Sequence, residues 1–460
     1  MNDNFKEVNL KEGVKCSHIY FNDDHCLYYI YKTTNKIKYV ECIEAGCACK
    51  GKIIEDKFIR TNDAIHKHKN NHEAKAEYEI AFLDLRNTVR TDHRPIRVLH
   101  QETLRKISLE ASSMMPFKKI RKTLQRLRHE EMPVCQDMNE FISMLENNND
   151  VFNTYGKLHN EDFYQGAINN MPIFANMILI NEIKGEFMIF VDATFGITPF
   201  RQHQLLVILA ELQGKPRPII YAIMNSRSQS DYQALFDQIR YGVFSQGNVS
   251  RVPTVAMVDF EQAIRKALVN VWPLINVRGC YFHYSQAIRR KALNFTELSR
   301  KITRSSEHKT ILNLFKQLSL LPINRVQVAY NTLLDYIQSK PLVAKDFESF
   351  IDYFNKTWFK RYSLEDWNVS DLFYRTNNHT EGHNNFLKQT IKQNPPPFTF
   401  LKSLLDLAYD ASSDFLNDKS MNIQTSKDRS LISERLKKAL ESLNNGKINE
   451  IKFLQLMAEN

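Results

Sequence analysis

The chain has 460 residues, too many for one ordinary core, so two or three folding units are expected. Hydrophobic residues make up 43% and charged residues 25%, which excludes the disordered and fibrous classes and indicates a globular protein. A net charge of +10 favours polyanionic partners, and no apolar stretch approaches the length of a membrane span. The opening MNDNFKEVNL lacks the basic-then-apolar layout of a signal peptide, so an intracellular protein with no membrane partner is expected.

In chain order, residues 14–72 read as a small β-rich module: HCLYYIYK and KIKYVEC carry aromatic and β-branched residues around the turn-like TTN. Of seven cysteines, Cys16, Cys26, Cys42, Cys47 and Cys49 fall here, beside histidines. In a chain without a secretion signal, such clustering points to metal and not to disulfides. Residues 76–165 are expected to be helical, with EYEIAFLDLRNTV, HQETLRKISLEASSM and FKKIRKTLQRLRHEE showing apolar residues three and four apart, punctuated by Pro116 and Pro133. Contact with DNA is expected in this region.

From about 172 the pattern changes to α/β. EFMIFVDATF, QLLVILAEL, PIIYAIMN, VPTVAMVDF and NVRGCYFHY are strand-length apolar runs, with YQALFDQIRYGVF and EQAIRKALVNVW between them at helical spacing. A mixed sheet with flanking helices follows, over 170–293. Residues 294–372 predict an all-α insertion, 373–415 a last core helix, and 416–460 a helical tail with a polar, mobile segment at 418–430.

Asp192 lies in the strand MIFVDATF and Asp259 closes TVAMVDF. A carboxylate near the end of a buried strand is costly unless compensated, and a shared divalent cation is one compensation. Capping of the helix that follows is the other reading of Asp259, but no helix follows Asp192. TNNHTEGHNNFLKQ supplies a third acid, Glu381, where a polar turn enters a helix. Asn384, Asn385 and Lys388 fall within two turns of it, in reach of a phosphate backbone. An ordinary helix N-terminus also favours an acid, so Glu381 alone carries little. Three carboxylates suit Mg²⁺, which takes hard oxygen ligands and keeps open positions for phosphate. No Ser-His-Asp arrangement or Gly-rich nucleotide loop competes with this chemistry.

VDATF, VDFEQAIRKAL, GCYFHYSQA and RTNNHTEGHNNFLK, in this order, resemble the Mutator-like transposases over about residues 170–395. The resemblance implies a ribonuclease-H-like core interrupted by an all-α insertion, with Asp192, Asp259 and Glu381 as its catalytic DDE acids and two Mg²⁺ or Mn²⁺ ions per site. Cys280 and His283 match the family's Cys-x-x-His element, on the strand and loop after the second aspartate. They either support the active site or DNA, or are a buried thiol and a polar histidine. The basic run QAIRRKA, with Arg289 and Arg290, follows that strand and is weighed as a substrate contact, whereas the basic run PFKKIRKTLQRLRHEE reads first as a solvated face.

KYVECIEAGCACKGKI with NDAIHKHKNNH resembles a FLYWCH-type zinc finger. Matched residue by residue, Cys42, Cys49, His66 and His68 would hold a structural Zn²⁺, with Cys47 competing for the place of Cys49 and His72 for that of a histidine. Val40 stands where the family has tryptophan. Lys50 and Lys52 follow as phosphate contacts.

The expected function is therefore DNA transposition: hydrolysis at element ends, then joining of the 3′-hydroxyl to target DNA. A domesticated, non-catalytic DNA-binding protein is the alternative, and a nuclease that cuts without joining is a third reading. Double-stranded DNA is the expected partner, with a homo-oligomer on DNA, no small-molecule cofactor, and a nuclear location that follows from the function.

Overall fold

The structure, a computed structural model, describes residues 5–8, 18–21, 26–55, 57–68, 72–92, 96–130, 132–246, 249–421 and 427–458. Cys16, the His72 side chain and residues 422–426 of the polar segment lie outside the described residues. The chain divides into two compact units, Met1–Pro133 and Val134–Asn460. No helix of the described residues is long and apolar enough to cross a membrane.

The first unit opens with an antiparallel meander of six strands in sequence order: β1 (Phe5–Val8), β2 (His18–Phe21), β3 (Cys26–Thr34), β4 (Ile37–Cys42), β5 (Lys50–Ile54) and β6 (Lys57–Arg60). The β3–β4 turn is made by Asn35 and Lys36, both at positive φ (50° and 66°), which matches the twist of a tight hairpin. Its buried core is small, being Cys26, Tyr28, Val40, Cys42, Cys49 and Ile53. Four helices follow, His72–Thr91, Ile96–Leu104, Leu109–Met114 and Phe117–Glu130. The expected helix over HQETLRKISLEASSM is broken at Ser108, whose hydroxyl accepts the Ala111 amide and starts a new helix.

The second unit begins earlier than the change of pattern in the sequence. Helices Met138–Asn147 and Asn149–Tyr155 pack on its sheet. After a short ribbon of β7 (Lys157–Leu158) and β8 (Glu161–Asp162), two strands precede the five expected ones: β9 (Tyr164–Ile168) and β10 (Met171–Ala175). Then come β11 (Phe187–Phe195), β12 (Gln204–Leu212), β13 (Lys215–Met224), β14 (Pro253–Val258) and β15 (Asn276–Gly279). The sheet order is β15-β14-β11-β12-β13-β10-β9. The β11–β14 and β14–β15 pairs are parallel, and the other pairs are antiparallel. This is a mixed α/β architecture.

Side-chain alternation sorts each strand between two cores. Ile189, Val191, Ala256 and Val258 enter one, with helices Gln229–Gln238 and Gln262–Val271. Met188, Phe190 and Met257 enter the other, under helices Asn378–Thr390 and Pro397–Met421. Beyond β15 only helices occur from Tyr281 to Trp367, around an aromatic core in which Tyr284, Trp358 and Trp367 are fully buried. The helix Pro397–Met421 runs unbroken through the expected boundary at 415. Helices Lys427–Asn444 and Glu450–Ala458 join the aromatic core through Leu436, Leu443, Phe453 and Leu454, so the tail is part of that layer.

Candidate active site

The register of the sheet sets the two aspartates level. Phe190 on β11 pairs with Met257 on the parallel β14, so Asp192, inside β11, and Asp259, just past the end of β14, are each two residues further and come level. Both share parity with Phe190 and Met257 and so project on the same face. The carboxyl end of parallel strands is where open α/β sheets hold ligands. Asp259 Oδ1 accepts the Glu261 amide at 2.9 Å, a local turn into the helix Gln262–Val271. The N-cap of that helix is Glu261 and no side chain caps it, so Asp259 shapes the turn before the helix and does not take the capping role weighed for it.

Glu381 arrives from the helix Asn378–Thr390, laid across β11 and β12 and anchored by buried Leu387. Asn384, one turn further and 5% exposed, donates from Nδ2 to Asp192 Oδ2 at 3.0 Å. Burial, with Asp259 and Glu381 adding to it, pushes the Asp192 carboxyl up to about 6, against the Ala193 amide and His283. Among the described residues, Glu381 Oε1 and Asn384 Oδ1 are buried and find no hydrogen-bond partner. Thr194 Oγ1, two residues beyond Asp192, is likewise buried and unpartnered.

Cys280 and His283 do not lie on a strand and loop as expected. The strand ends at Gly279, Cys280 caps a helix, and His283 sits in the first turn of Tyr281–Asn294. Gly279 permits this sharp exit, since a Cβ there would collide with the Phe260 ring and lie 2.8 Å from the Asp366 carbonyl oxygen. The Cys280 amide donates to the Val258 carbonyl at 3.0 Å, continuing the ladder, while its buried sulfur accepts the Asn377 amide at 3.1 Å. The Tyr281 amide donates to the Arg375 carbonyl at 2.9 Å. These bonds tie the start of the His283 helix to the start of the Glu381 helix.

His283 Nε2 stands 3.5 Å from Glu381 Oε1. Ligand atoms of Cys280, His283 and Glu381 all lie within 4.8 Å of one another. Cys280 beside it, then Glu381 and Asp259, raise His283 to about 9 against the opposing effect of burial. In the cation-free site these neighbours favour the imidazolium form, facing acids.

Asn385 and Lys388 are exposed on the Glu381 helix, as are Arg289 and Arg290 on the His283 helix. Arg290 donates to Gln286 Oε1 at 2.7 Å. Several supporting residues escaped the sequence reading. Asn377 donates from Nδ2 to the Val191 carbonyl at 3.4 Å and accepts from Thr380 Oγ1 at 2.6 Å. His383 pairs with the Tyr221 hydroxyl at 3.0 Å, and burial lowers it to about 4, so it is neutral. Glu261, a fourth acid, is pushed up by burial and then by Asp259, while Arg227 acts against this. Asn377 and His383 stand inside the motif RTNNHTEGHNNFLK, but only their packing gives them roles.

In the first unit, ligand atoms of Cys42, Cys47, His66 and His68 lie within 4.8 Å of one another. Cys42 Sγ is 3.4 Å from His68 Nε2 and Cys47 Sγ is 3.3 Å from His66 Nδ1. Cys47, not the expected Cys49, completes this group: the Cys49 thiol donates to the Ala64 carbonyl at 3.2 Å. The reason is local, because Cys49 precedes β5 with its side chain in the small core, while Cys47 lies on the half-exposed turn facing the histidines. Burial pushes Cys42 up to about 12. Burial opposes ionisation of Cys47 too, yet the Cys49 amide and hydrogen bonds from His68, Cys49 and Cys42 hold it below the ordinary value. Lys50 is exposed and paired with Glu41 at 3.0 Å, and Lys52 is half-buried on β5.

No curated protein matches the chain. Residues 188–287, which run from β11 through Asp192, Asp259, Cys280 and His283 into the first helix after the sheet, match the family model of the MULE transposase domain.

Proposed function

We propose that the protein is a DDE-type DNA transposase on a ribonuclease-H-like core, with Asp192, Asp259 and Glu381 holding two Mg²⁺ or Mn²⁺ ions. The observation that carries this reading is the placement of Asp192 and Asp259 level on adjacent parallel strands, with the Glu381–Asn384 helix across them. The match to a MULE transposase domain over 188–287 supports it. So does the run of three antiparallel strands, β11 to β13, followed by the parallel β14 and β15.

The residues suit hard cations. Asp192 is a half-buried carboxylate raised by its own desolvation, and among the described residues Glu381 Oε1 and Asn384 Oδ1 are buried oxygens without a hydrogen-bond partner. Such ions lower the pKa of an attacking water or sugar hydroxyl and stabilise the leaving oxygen. The chain's own part is positional. Asn384 Nδ2 orients the Asp192 carboxylate, and His283 Nε2, 3.5 Å from Glu381 Oε1, positions that carboxylate. Water first cleaves a phosphodiester at the element end, leaving a 3′-hydroxyl. That hydroxyl then attacks a target phosphorus and releases the target's 3′-oxygen.

In the first unit we assign a structural Zn²⁺ to Cys42, Cys47, His66 and His68, a closed N₂S₂ set on a FLYWCH-type finger. With so small a buried core, much of that module's stability would come from the metal. Its partner is duplex DNA at the element's terminal repeats. The enzyme works on two ends, hence as a homo-oligomer, and in the nucleus.

The test is cleavage and joining of a donor plasmid carrying the element's own ends, with Mg²⁺ or Mn²⁺, by wild type, Asp192→Asn and Glu381→Gln. Cation-dependent joints from the wild type alone support the reading. Equal products from all three remove the triad from the chemistry, and none from any, with DNA binding intact, leaves a DNA-binding protein without catalysis.

A further inference from the structure

The helix Phe117–Glu130, FKKIRKTLQRLRHE, has no acid before its final residue. Ile120, Leu124 and Leu127 recur at helical spacing, are 7%, 0% and 1% exposed, and join the helical core of the first unit. That stripe fixes the rotation of the helix. Lys118, Lys119, Arg121, Lys122 and Arg126 are all exposed on the opposite side.

A solvated helix face normally alternates charges three and four residues apart. Here Lys118, Lys119, Arg121 and Lys122 have no acid at either spacing, in either direction. They face one another instead: 118 with 121 and 122, 119 with 122, and 122 with 126. Like charges at those spacings oppose the helix, and a polyanion would relieve them. Arg128 behaves differently. Its guanidinium turns inward to the carbonyls of Val89 (3.3 Å) and Asp92 (2.8 Å) and ties the helix to His72–Thr91.

The mounting is rigid as well. The helix Leu109–Met114 stops at Met115, and Pro116 separates it from the basic helix. The Met115 carbonyl accepts from Nε2 of buried His100 at 2.8 Å, pinning the break. A short helix, a tight break and a longer basic helix follow the order of a helix-turn-helix unit. Fourteen residues span about 21 Å, and the major groove of B-form DNA, about 12 Å wide, admits an α-helix.

We propose that the helix Phe117–Glu130 docks in the major groove of duplex DNA. Lys118, Lys119, Lys122 and Arg126 neutralise phosphates, and Arg121 and Gln125, neighbours on the exposed side, face base edges. Arginine and glutamine are the side chains that pair bidentately with guanine and adenine. The inference deepens the transposase reading, on which it rests for the choice of DNA as the polyanion, by naming an element that grips it.

The experiment uses the full chain and a labelled random-sequence DNA duplex, titrated across salt concentrations. Variants are Lys118→Ala/Arg121→Ala/Lys122→Ala, the charge-keeping Lys118→Arg/Lys122→Arg, and the control Lys437→Ala/Lys438→Ala at exposed positions of the helix Lys427–Asn444 in the second unit. The triple alanine variant should weaken binding about tenfold or more and flatten the log–log salt slope by about 2 to 3. The arginine variant and the control should stay near wild type. Unchanged binding in the triple variant, or an equal loss in the control, overturns the proposal. An equally large loss on duplex RNA, whose major groove is too narrow for side chains to read, also overturns it. Asp192-dependent plasmid cleavage separates the two ideas. Cleavage with unchanged binding in the triple variant sinks only the helix assignment. Lost binding in a chain that never cleaves supports the helix and sinks the transposase.

Discussion

Asn384 Nδ2 meets Asp192 Oδ2 at 3.0 Å, joining two residues 192 positions apart in the chain. The bond aligns β11 with the helix that brings Glu381, so it helps to set the relation among the acids. Asn384→Ala should leave the fold intact and reduce cation-dependent DNA cleavage about 10- to 100-fold, the usual cost of losing an orienting partner. Raising the Mn²⁺ concentration should restore part of the rate. Cleavage at the wild-type rate at limiting Mn²⁺ would exclude an orienting role.

Asp192 gives a pH signature. Its carboxyl lies at about 6 in the folded chain against an ordinary value of 3.8, first because burial disfavours its charge. The protonated form therefore favours folding, fully so below about pH 4, and this contribution is lost as the pH rises through 6. Above that, ionised Asp192 costs the cation-free protein about 2–3 kcal/mol. Asp192→Asn should raise unfolding stability by about 2 kcal/mol near neutral pH in chelator, with no gain near pH 4. Denaturant curves at the two pH values decide this, and an equal gain at both would mean that charge is not the cause.

The two candidate second cysteines can be separated. Cys47→Ser should abolish retention of Zn²⁺ by the purified chain and unfold the meander. Cys49→Ser should keep the metal, with a stability loss of about 1–2 kcal/mol from the small core. Zinc content by atomic absorption is the readout. The reverse pattern would return the ligand role to Cys49.

Gly279→Ala introduces a methyl group against the Phe260 ring and the Asp366 carbonyl, where β15 turns into the His283 helix. A loss of about 1–3 kcal/mol is expected from overpacking. Because the collision lies one residue before Cys280, cleavage should fall more than stability does. Thermal unfolding and single-turnover cleavage on the same variant test this, and a loss of stability with unchanged cleavage would place the strain away from the site.

Four strands were legible because burial on both faces demands continuous apolar runs, and those runs became β11 to β14; the fifth run, NVRGCYFHY, is strand only over Asn276–Gly279 at the sheet edge and then opens a helix. Two further strands, β9 and β10, were hidden. YQGAI is only half-apolar at the sheet edge, and MPIFA is too short to separate from a loop. The helix continuing through 415 and the return of the tail to the aromatic core were equally unreadable, because packing partners far away in the chain set both.

By itself the sequence determined the chemistry available. It held the acids Asp192, Asp259 and Glu381 in three motifs, the Cys/His clustering of the first unit, and the alternation that buries each strand. Periodicity and side-chain type are local properties, and local properties are written along the chain. Tertiary structure alone decided which atoms meet. It set Asp192 level with Asp259 through the β11–β14 register, brought Asn384 to Asp192, and turned His283 from a loop into a helix beside Glu381. It also chose Cys47 over Cys49 for the cluster and segregated the cations of Phe117–Glu130 from its buried stripe. These outcomes depend on register, helix rotation and competition for burial, which arise only when distant segments pack together.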